Sequence, residues 1–349
     1  MISGHGIVWG VLHPARVLIA TVAAAVALTA CAGAPSETAT PSASPSATPT
    51  TSPTTSATPS ASPTPTIPAI DSLDGIAVSG ERLESPKVEF DKPLRIDQSR
   101  SKVLVEGSGP AAVADGFVTI HYEGINARTG ETFDESYSDE TPVTFPLTGV
   151  IAGFQKGLTG QQPGSRVLIA IPGQDGYDEA YRVDPSYAPD GYQLFDTLLF
   201  VVDVVAVSLT QPDGEPVNPP AGLPTVSGGT GKPTITIPAG EAPSRMVSQT
   251  LIEGTGAKVK ADDTILARYV GVSWKTGEVF DDGFDEATSG ALADLIPGWT
   301  KGLVGKPVGS RVLLVLPPAD GFPEGSNKPA VEKGDTVVYV VDLLFAYAG

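Results

Sequence analysis

The sequence predicts an α+β protein of two tandem domains, each an antiparallel β-sheet wrapped around one short helix. Three observations carry that prediction. First, Tyr122-Glu123-Gly124 … Thr129-Gly130-Glu131-Thr132-Phe133-Asp134 returns as Tyr269-Val270-Gly271 … Thr276-Gly277-Glu278-Val279-Phe280-Asp281, at a constant offset of 147 residues. Glu106-Gly107-Ser108-Gly109 and Glu253-Gly254-Thr255-Gly256 keep that offset. Gly164-Ser165-Arg166-Val167-Leu168 and Gly309-Ser310-Arg311-Val312-Leu313 are 145 apart, so the second copy is two residues shorter in between. Two copies are too few for a solenoid, and a period this long is a whole domain. Second, most of each copy consists of β-branched and aromatic runs bounded by Gly, Pro and Asp. Third, each copy has only one short helical candidate, at residues 154–158 and 299–303.

Taken in chain order, residues 17–28 are an apolar run after the lone cation Arg16, ending in Leu28-Thr29-Ala30-Cys31. Such a run is too short to span a bilayer comfortably and reads as a secretory signal, residues 1–30. Its end resembles a bacterial lipobox, which implies that the Cys31 thiol is diacylated and becomes the mature N-terminus. Cys31 is the only cysteine, so no intrachain disulfide can form. Residues 31–80 are expected to be a lipidated N-terminus and disordered linker, because 35–68 are almost entirely Pro, Ser, Thr and Ala. That composition cannot bury enough apolar surface to offset its ordering entropy, and proline keeps it extended. The expected location is the outer face of a bacterial cell membrane.

The first domain is assigned to residues 81–208, with strands expected at 103–105, 117–122, 166–171 and 198–205. Residues 209–232, rich in Pro and Gly, read as a linker. The second domain, 233–349, repeats the pattern with strands at 265–272, 311–316 and 336–344. Short alternating stretches ahead of each copy, 87–90 and 233–237, are expected to add an edge to each sheet. The loop 178–192 of copy one carries Tyr181, Tyr187 and Tyr192, and reads either as a shaper of specificity at a pocket mouth or as a plain surface loop.

Charge and residue inventory exclude several functions. The chain carries 22 basic and 40 acidic residues, a net charge of −18, which becomes −19 once residues 1–30 and their single Arg16 are removed. Scattered acids of this excess argue against nucleic acid and against electrostatic docking to anionic lipid. Of three histidines, His5 and His13 fall in the signal region, and His121 reads as a structural residue within a strand. No Gly-rich phosphate loop follows a strand, and no Ser/His/Asp or Cys/His set can be assembled. The acidic run 281–285 lacks the ligand alternation of a calcium loop and reads as a solvated turn. Neither a metal nor a cofactor is expected.

What each copy does hold is an ordered set of aromatics with one aspartate beside a phenylalanine. The order in both copies is Tyr (Tyr122, Tyr269), Thr-Gly-Glu-x-Phe-Asp, Val/Leu-Ile-x-Gly-Phe/Trp-x-x-Gly-Leu, Gly-Ser-Arg-Val-Leu and Asp-Gly-Tyr/Phe. It resembles the FKBP-type peptidyl-prolyl isomerases over about 100 residues in both copies. The resemblance implies two FKBP-like domains and turnover of Xaa-Pro bonds, with proline-containing exported or unfolded proteins as partners of a monomeric chain. In copy one it implies Phe154 as pocket floor, where the family usually has tryptophan. Tyr122, Phe133 and Phe200 would be walls, and Val143, Val150 and Ile151 the rim. The Ile151 backbone N–H would hold the substrate carbonyl, the Tyr177 hydroxyl would donate to the peptide, and Asp134 would orient polar groups near the twisting carbonyl. In copy two it implies Trp299 as floor, with Tyr269, Phe280, Asp281, Leu295, Ile296 and Tyr339 around it. Phe322 stands where copy one has Tyr177, and 289–292 is expected to be a weaker strand than its counterpart 144–147. A non-catalytic binder of proline segments is the alternative, with copy two the more degenerate.

Overall fold

The structure, a computed structural model, describes residues 67–348. The signal segment, Cys31 and the spacer up to residue 66 lie outside the described residues. Domain 1 begins with a hairpin of β1 (Ala77–Ser79) and β2 (Lys87–Glu89). Its main sheet follows, built from β3 (Arg100–Val105), β4 (Phe117–Asn126), β5 (Thr132–Glu135), β6 (Val143–Pro146), β7 (Arg166–Ile171) and β8 (Leu198–Val207). Helix α1 (Ala152–Leu158) precedes β7, and α2 (Asp178–Val183) lies between β7 and β8. The sheet is antiparallel in the order β3-β7-β8-β4-β5, with β6 continuing beside β4.

Domain 2 repeats the plan. Strand β9 (Gly214–Pro216) is followed by a hairpin of β10 (Thr225–Ser227) and β11 (Thr234–Thr236). Then come β12 (Val247–Gly254), β13 (Asp263–Ser273), β14 (Val279–Ala291), α3 (Pro297–Leu303) and β15 (Arg311–Leu316). A small hairpin of β16 (Ser326–Asn327) and β17 (Ala330–Val331) leads into β18 (Val337–Ala348). The sheet order is β14-β13-β18-β15-β12-β9.

The sequence of β7, Arg-Val-Leu-Ile-Ala-Ile, is buried at every position. An antiparallel strand with one wet face would alternate; a continuous apolar run means that both faces are covered. Val167, Ile169 and Ile171 face the layer of Phe154 and Leu158 from α1. Leu168 and Ala170 face Leu73, Ile76, Val78, Val88 and Ile96, which come from the hairpin and its flanks. Domain 2 does the same: Val312, Leu314 and Leu316 of β15 meet Trp299 and Leu303, whereas Leu313 and Val315 meet Val226, Ile235 and Ile237. Each domain therefore has three layers: hairpin, sheet and helix. Glycines let the helix lie close, since a Cβ on Gly153 or Gly157 would come within 2.3 Å of Ile171 or 2.6 Å of Ile169.

A buried ion pair ties each hairpin to its sheet. The Arg166 guanidinium donates to both Asp203 carboxylate oxygens, at 2.8 and 2.7 Å, and to the backbone carbonyls of Gly80 and Glu84, both at 2.9 Å. Arg311 and Asp342 repeat it at 2.6 and 2.7 Å, with the carbonyls of Gly229 and Gly231 as the further acceptors.

Several boundaries differ from the sequence reading. Residues 87–90 and 233–237 do not extend the main sheets; they form the separate hairpins that lie across a sheet face. Alternation buries one side of a strand but does not say which partner it pairs with. Part of the presumed 31–80 linker is ordered structure, with Leu73 and Ile76 in the core. The presumed 209–232 linker supplies β9 and β10, and β9 pairs with β12 at the edge of the second sheet. Loop 178–192 holds a second helix, α2. Residues 289–292 do not form a separate weak strand: β14 runs unbroken from Val279 to Ala291, taking the places of both β5 and β6. The acidic run 281–285 lies inside that strand rather than in a turn, with Asp282 and Asp285 paired to Lys232 at 2.8 and 3.3 Å.

Candidate active site

The site of each domain lies between the helix and the concave face of the sheet. In domain 1, Tyr122 (β4), Phe133 (β5), Phe154 (α1) and Phe200 (β8) converge. The Phe154 and Phe200 rings are 4.9 Å apart, Phe133 meets Phe200 edge-on at 5.8 Å, and Tyr122 meets Phe154 and Phe200 at 6.5 and 6.4 Å. Edge-to-face contacts at these separations are favourable for aromatic rings. Strand register brings them together: Gly124 of β4 pairs with both Asp134 and Phe200. A Cβ there would sit 2.8 Å from the Phe133 ring and 2.9 Å from Phe200. Val143, Val150 and Ile151 pack partly buried against this cluster.

The polar groups are few. The Tyr122 hydroxyl donates to Asp134 at 2.5 Å, and burial pushes the phenol pKa up, beyond any physiological deprotonation. Tyr177 is buried, and its hydroxyl has no hydrogen-bond partner among the described residues. An orphaned buried hydroxyl costs free energy unless something fills its valence. Tyr192 packs edge-on against Tyr177 at 6.0 Å, and its own hydroxyl donates to the buried Asp178 at 2.9 Å. The loop 178–192 is therefore packed onto the site rather than loose on the surface. His121 hydrogen-bonds Ser136 at 3.2 Å and stacks on Tyr137, as a structural histidine does.

In domain 2, Tyr269, Asp281, Leu295, Ile296, Trp299, Phe322 and Tyr339 line one cavity of about 270 Å³. Trp299 meets Tyr269 at 5.1 Å and Tyr339 at 5.5 Å, both edge-on. Phe280 stands just outside the lining, 5.5 Å from Tyr339 and 6.4 Å from Phe322. Tyr339 replaces Phe200 at the same register position, opposite Gly271, and its hydroxyl donates to Asp281 at 3.1 Å. Burial outweighs this bond and raises the Asp281 pKa above the ordinary carboxylate value.

The structure gathers the pocket residues singled out in the sequence into two clusters, one per domain, whereas Cys31 lies outside the described residues. It brings in Phe145, 6.0 Å from Phe154, and Gly290, both from the contrasted segments 144–147 and 289–292, and adds Ile265, Ala267, Thr288, Asp294 and Pro329 in domain 2, which the sequence reading did not single out. A signal for two of them existed. Ile265, Ala267 and Tyr269 alternate along β13 and share a face.

An apolar, aromatic site between helix and sheet, built twice on the same antiparallel plan, is the common feature of the two domains. The model of the FKBP-type peptidyl-prolyl cis-trans isomerase family matches residues 109–205 and 255–344, together more than half of the chain. The chain belongs to this family and is a peptidyl-prolyl cis-trans isomerase with tandem domains. A probable FK506-binding protein of Corynebacterium glutamicum is 39% identical over 118 residues, 33% of this chain and 98% of that protein. An FK506-binding protein of Streptomyces anulatus is 35% identical over 127 residues, 36% of this chain and 98% of that protein. The peptidyl-prolyl cis-trans isomerase Mip of Coxiella burnetii is 37% identical over 106 residues, 30% of this chain and 43% of that protein.

Proposed function

We propose that this isomerase works outside the cytoplasm, held to a membrane by a lipid on Cys31, and turns Xaa-Pro bonds of exported proteins as they fold. Three features of the N-terminal sequence support that setting: a signal-like apolar run, a cysteine at its end, and a Pro/Ser/Thr spacer. A single acyl chain holds a protein only marginally, so durable anchoring requires diacylation.

The proposed chemistry follows from the amide. Its rotation barrier of about 18–20 kcal/mol comes from resonance that is lost as the C–N bond twists. The twisted bond is less charge-separated than the planar one, so a dry apolar pocket favours it over the ground state, which is differential binding. In domain 1, Phe154 is the floor, with Tyr122, Phe133 and Phe200 as walls and Val143 and Val150 at the rim. The Ile151 N–H and the Tyr177 hydroxyl hold the peptide, and Asp134 orients polar groups at the twisting carbonyl. In domain 2, Trp299 is the floor, with Tyr269, Phe280, Asp281, Leu295, Ile296 and Tyr339 around it. The observation that carries these roles is the orphaned Tyr177 hydroxyl, a buried donor that a bound peptide carbonyl would satisfy.

Phe322 favours a second reading for domain 2, as a proline-segment binder of lower turnover, because it removes that donor. One neutral hydrogen bond contributes about 0.5–1.5 kcal/mol, which is roughly a factor of ten at most. The test is NMR exchange on a short Xaa-Pro peptide with the full chain, Phe133→Ala, Phe280→Ala and the double variant. Each single variant should lose part of the acceleration and the double nearly all of it. If Phe280→Ala changes nothing while Phe133→Ala abolishes exchange, domain 2 is the binder. Full turnover by the double variant would remove both site assignments.

A further inference from the structure

Strand β13 of domain 2 has a different neighbour on each face. Ile265, Ala267 and Tyr269 line the domain 2 site, and the alternate residues Leu266 and Arg268 face the rear. Domain 1 covers that rear. Leu266, Leu344 and Phe345 form a buried apolar cluster, and Phe117, which opens β4, and Leu209, which follows β8, pack against it. The Phe117 ring lies 6.4 Å from Phe345 and 5.8 Å from Tyr347. The Arg268 guanidinium donates to the Thr210 carbonyl at 3.0 Å, which ties the chain leaving domain 1 to the same strand.

Strand register shows what this cover holds in place. Strand β13 pairs Leu266 with Phe345 and Ala267 with Leu343, so Leu344 is the extra residue of a β-bulge. Domain 1 has a matching bulge: β4 pairs Thr119 with Ala206 and Ile120 with Val204, which makes Val205 the extra residue. Val205 is 37% exposed, whereas Leu344 is 1% exposed and its carbonyl accepts from the Leu209 N–H at 2.9 Å. The paired residues differ too. Thr119 and Ala206 of domain 1 are Leu266 and Phe345 in domain 2, and the Thr119 hydroxyl is satisfied within its own sheet, by Thr144 at 2.7 Å. The second copy is therefore apolar at the bulge that domain 1 covers. A bulge aims the side chains beside it, and the next pair along, Ala267 with Leu343, includes a residue of the cavity wall.

Resting on the isomerase reading of domain 2, we infer that domain 1 positions the domain 2 site. Phe117 and Leu209 clamp the Leu344 bulge from behind and so fix the strand that carries Ala267 and Tyr269. Phe117 is a positioning residue, acting through β13 without touching the substrate. The dependence runs one way, because the matching bulge residue of domain 1, Val205, stands exposed. Differential binding of a twisted amide needs walls held in place, so a slack rear face costs turnover.

The test uses the full chain, with Phe133→Ala silencing domain 1 or Phe280→Ala silencing domain 2, and NMR exchange on a short Ala-Pro peptide. In the Phe133→Ala chain, adding Phe117→Ala should lower kcat/KM about tenfold, short of the roughly hundredfold cost of a full 1 Å misplacement. In the Phe280→Ala chain the same substitution should leave kcat/KM unchanged. Phe117→Leu, which keeps an apolar contact, should retain most of the domain 2 turnover. The Trp299 indole N–H resonance should shift in the Phe117→Ala chain before any peptide is added. That of Trp274, just past the far end of β13, should stay where it is. A general loss of stability would not move one indole and spare the other. Leu209→Ala should act in the same direction and serves if Phe117→Ala fails to fold. Unchanged domain 2 turnover, equal losses in both backgrounds, or an unmoved Trp299 resonance overturns the positioning role. If the Phe133→Ala chain accelerates no peptide, the isomerase reading of domain 2 falls, and peptide affinity, read from the Trp299 resonance, decides instead. Weaker affinity in Phe117→Ala then supports the positioning role, and unchanged affinity overturns it as well.

Discussion

Single residues in this protein act by what they leave room for. Gly124 and Gly271 are the clearest cases, because a ring from the neighbouring strand covers each of them. Gly124→Ala should push Phe133 and Phe200 apart and reduce domain 1 turnover at least tenfold, with the far-UV circular dichroism unchanged. Retained turnover would show that the ring geometry is not critical. Asp281 makes a prediction about pH. Burial raises its folded pKa, so between its ordinary value near 3.8 and the raised value the folded state keeps a proton that the unfolded state has lost. Stability from this group therefore falls as pH rises through that window and stays lower above it. Asp281→Asn should melt above the native chain at pH 7 and lose that advantage near pH 3; a pH-independent difference would contradict the assignment. The ordered motif already pointed to Phe133, Asp134 and Trp299 as site residues. The contrast between 144–147 and 289–292 was legible too, as a weaker strand; that Gly290 instead lies within one long strand, opposite Ile265, depends on register.

Among the elements, the hairpins are the part that sequence reading placed wrongly. Their alternating residues announced strands, but not that these would lie across a sheet face that was otherwise bare. The continuous apolar runs of β7 and β15 held the answer, since a strand buried on both sides needs a layer on each. Arg166 and Arg311 fasten those layers, and each guanidinium is shared between a carboxylate and hairpin carbonyls. Arg166→Met should destabilise domain 1 by about 3–5 kcal/mol, the cost of stranding a buried charge, measured by urea denaturation. Adding Asp203→Leu should recover only part of that loss. Asp203 also accepts from the Leu83 N–H at 2.7 Å and the Tyr137 hydroxyl at 3.0 Å, and both would then lack a partner.

Across the whole molecule, the repeating unit is larger than the motif that reveals it. Each unit includes its hairpin, so a fragment of residues 81–208 lacks β1 and the buried Leu73 and Ile76. It should melt well below a fragment of residues 67–208; equal melting temperatures would show that the first strand contributes little. The two units also touch. The Leu209 N–H donates to the Leu344 carbonyl at 2.9 Å, and Phe117 lies 5.8 Å from Tyr347 and 6.4 Å from Phe345. Phe117→Ala should therefore lower the melting temperature of the full chain more than that of domain 1 alone. An equal effect in both would argue that this contact carries no coupling.

The amino-acid sequence by itself determined the duplication, the sheet-dominated class and the aromatic set with its aspartate. Those are local patterns: repeats, side-chain alternation and residue types at set spacings survive without a third dimension. Tertiary structure alone decided which strands pair, which face the hairpins cover, and that the Tyr177 hydroxyl has no partner among the described residues. These depend on what lies across from a residue in space. Strand register, which joins residues as distant as Gly124 and Phe200, is settled by the packing of whole layers and not by neighbours along the chain.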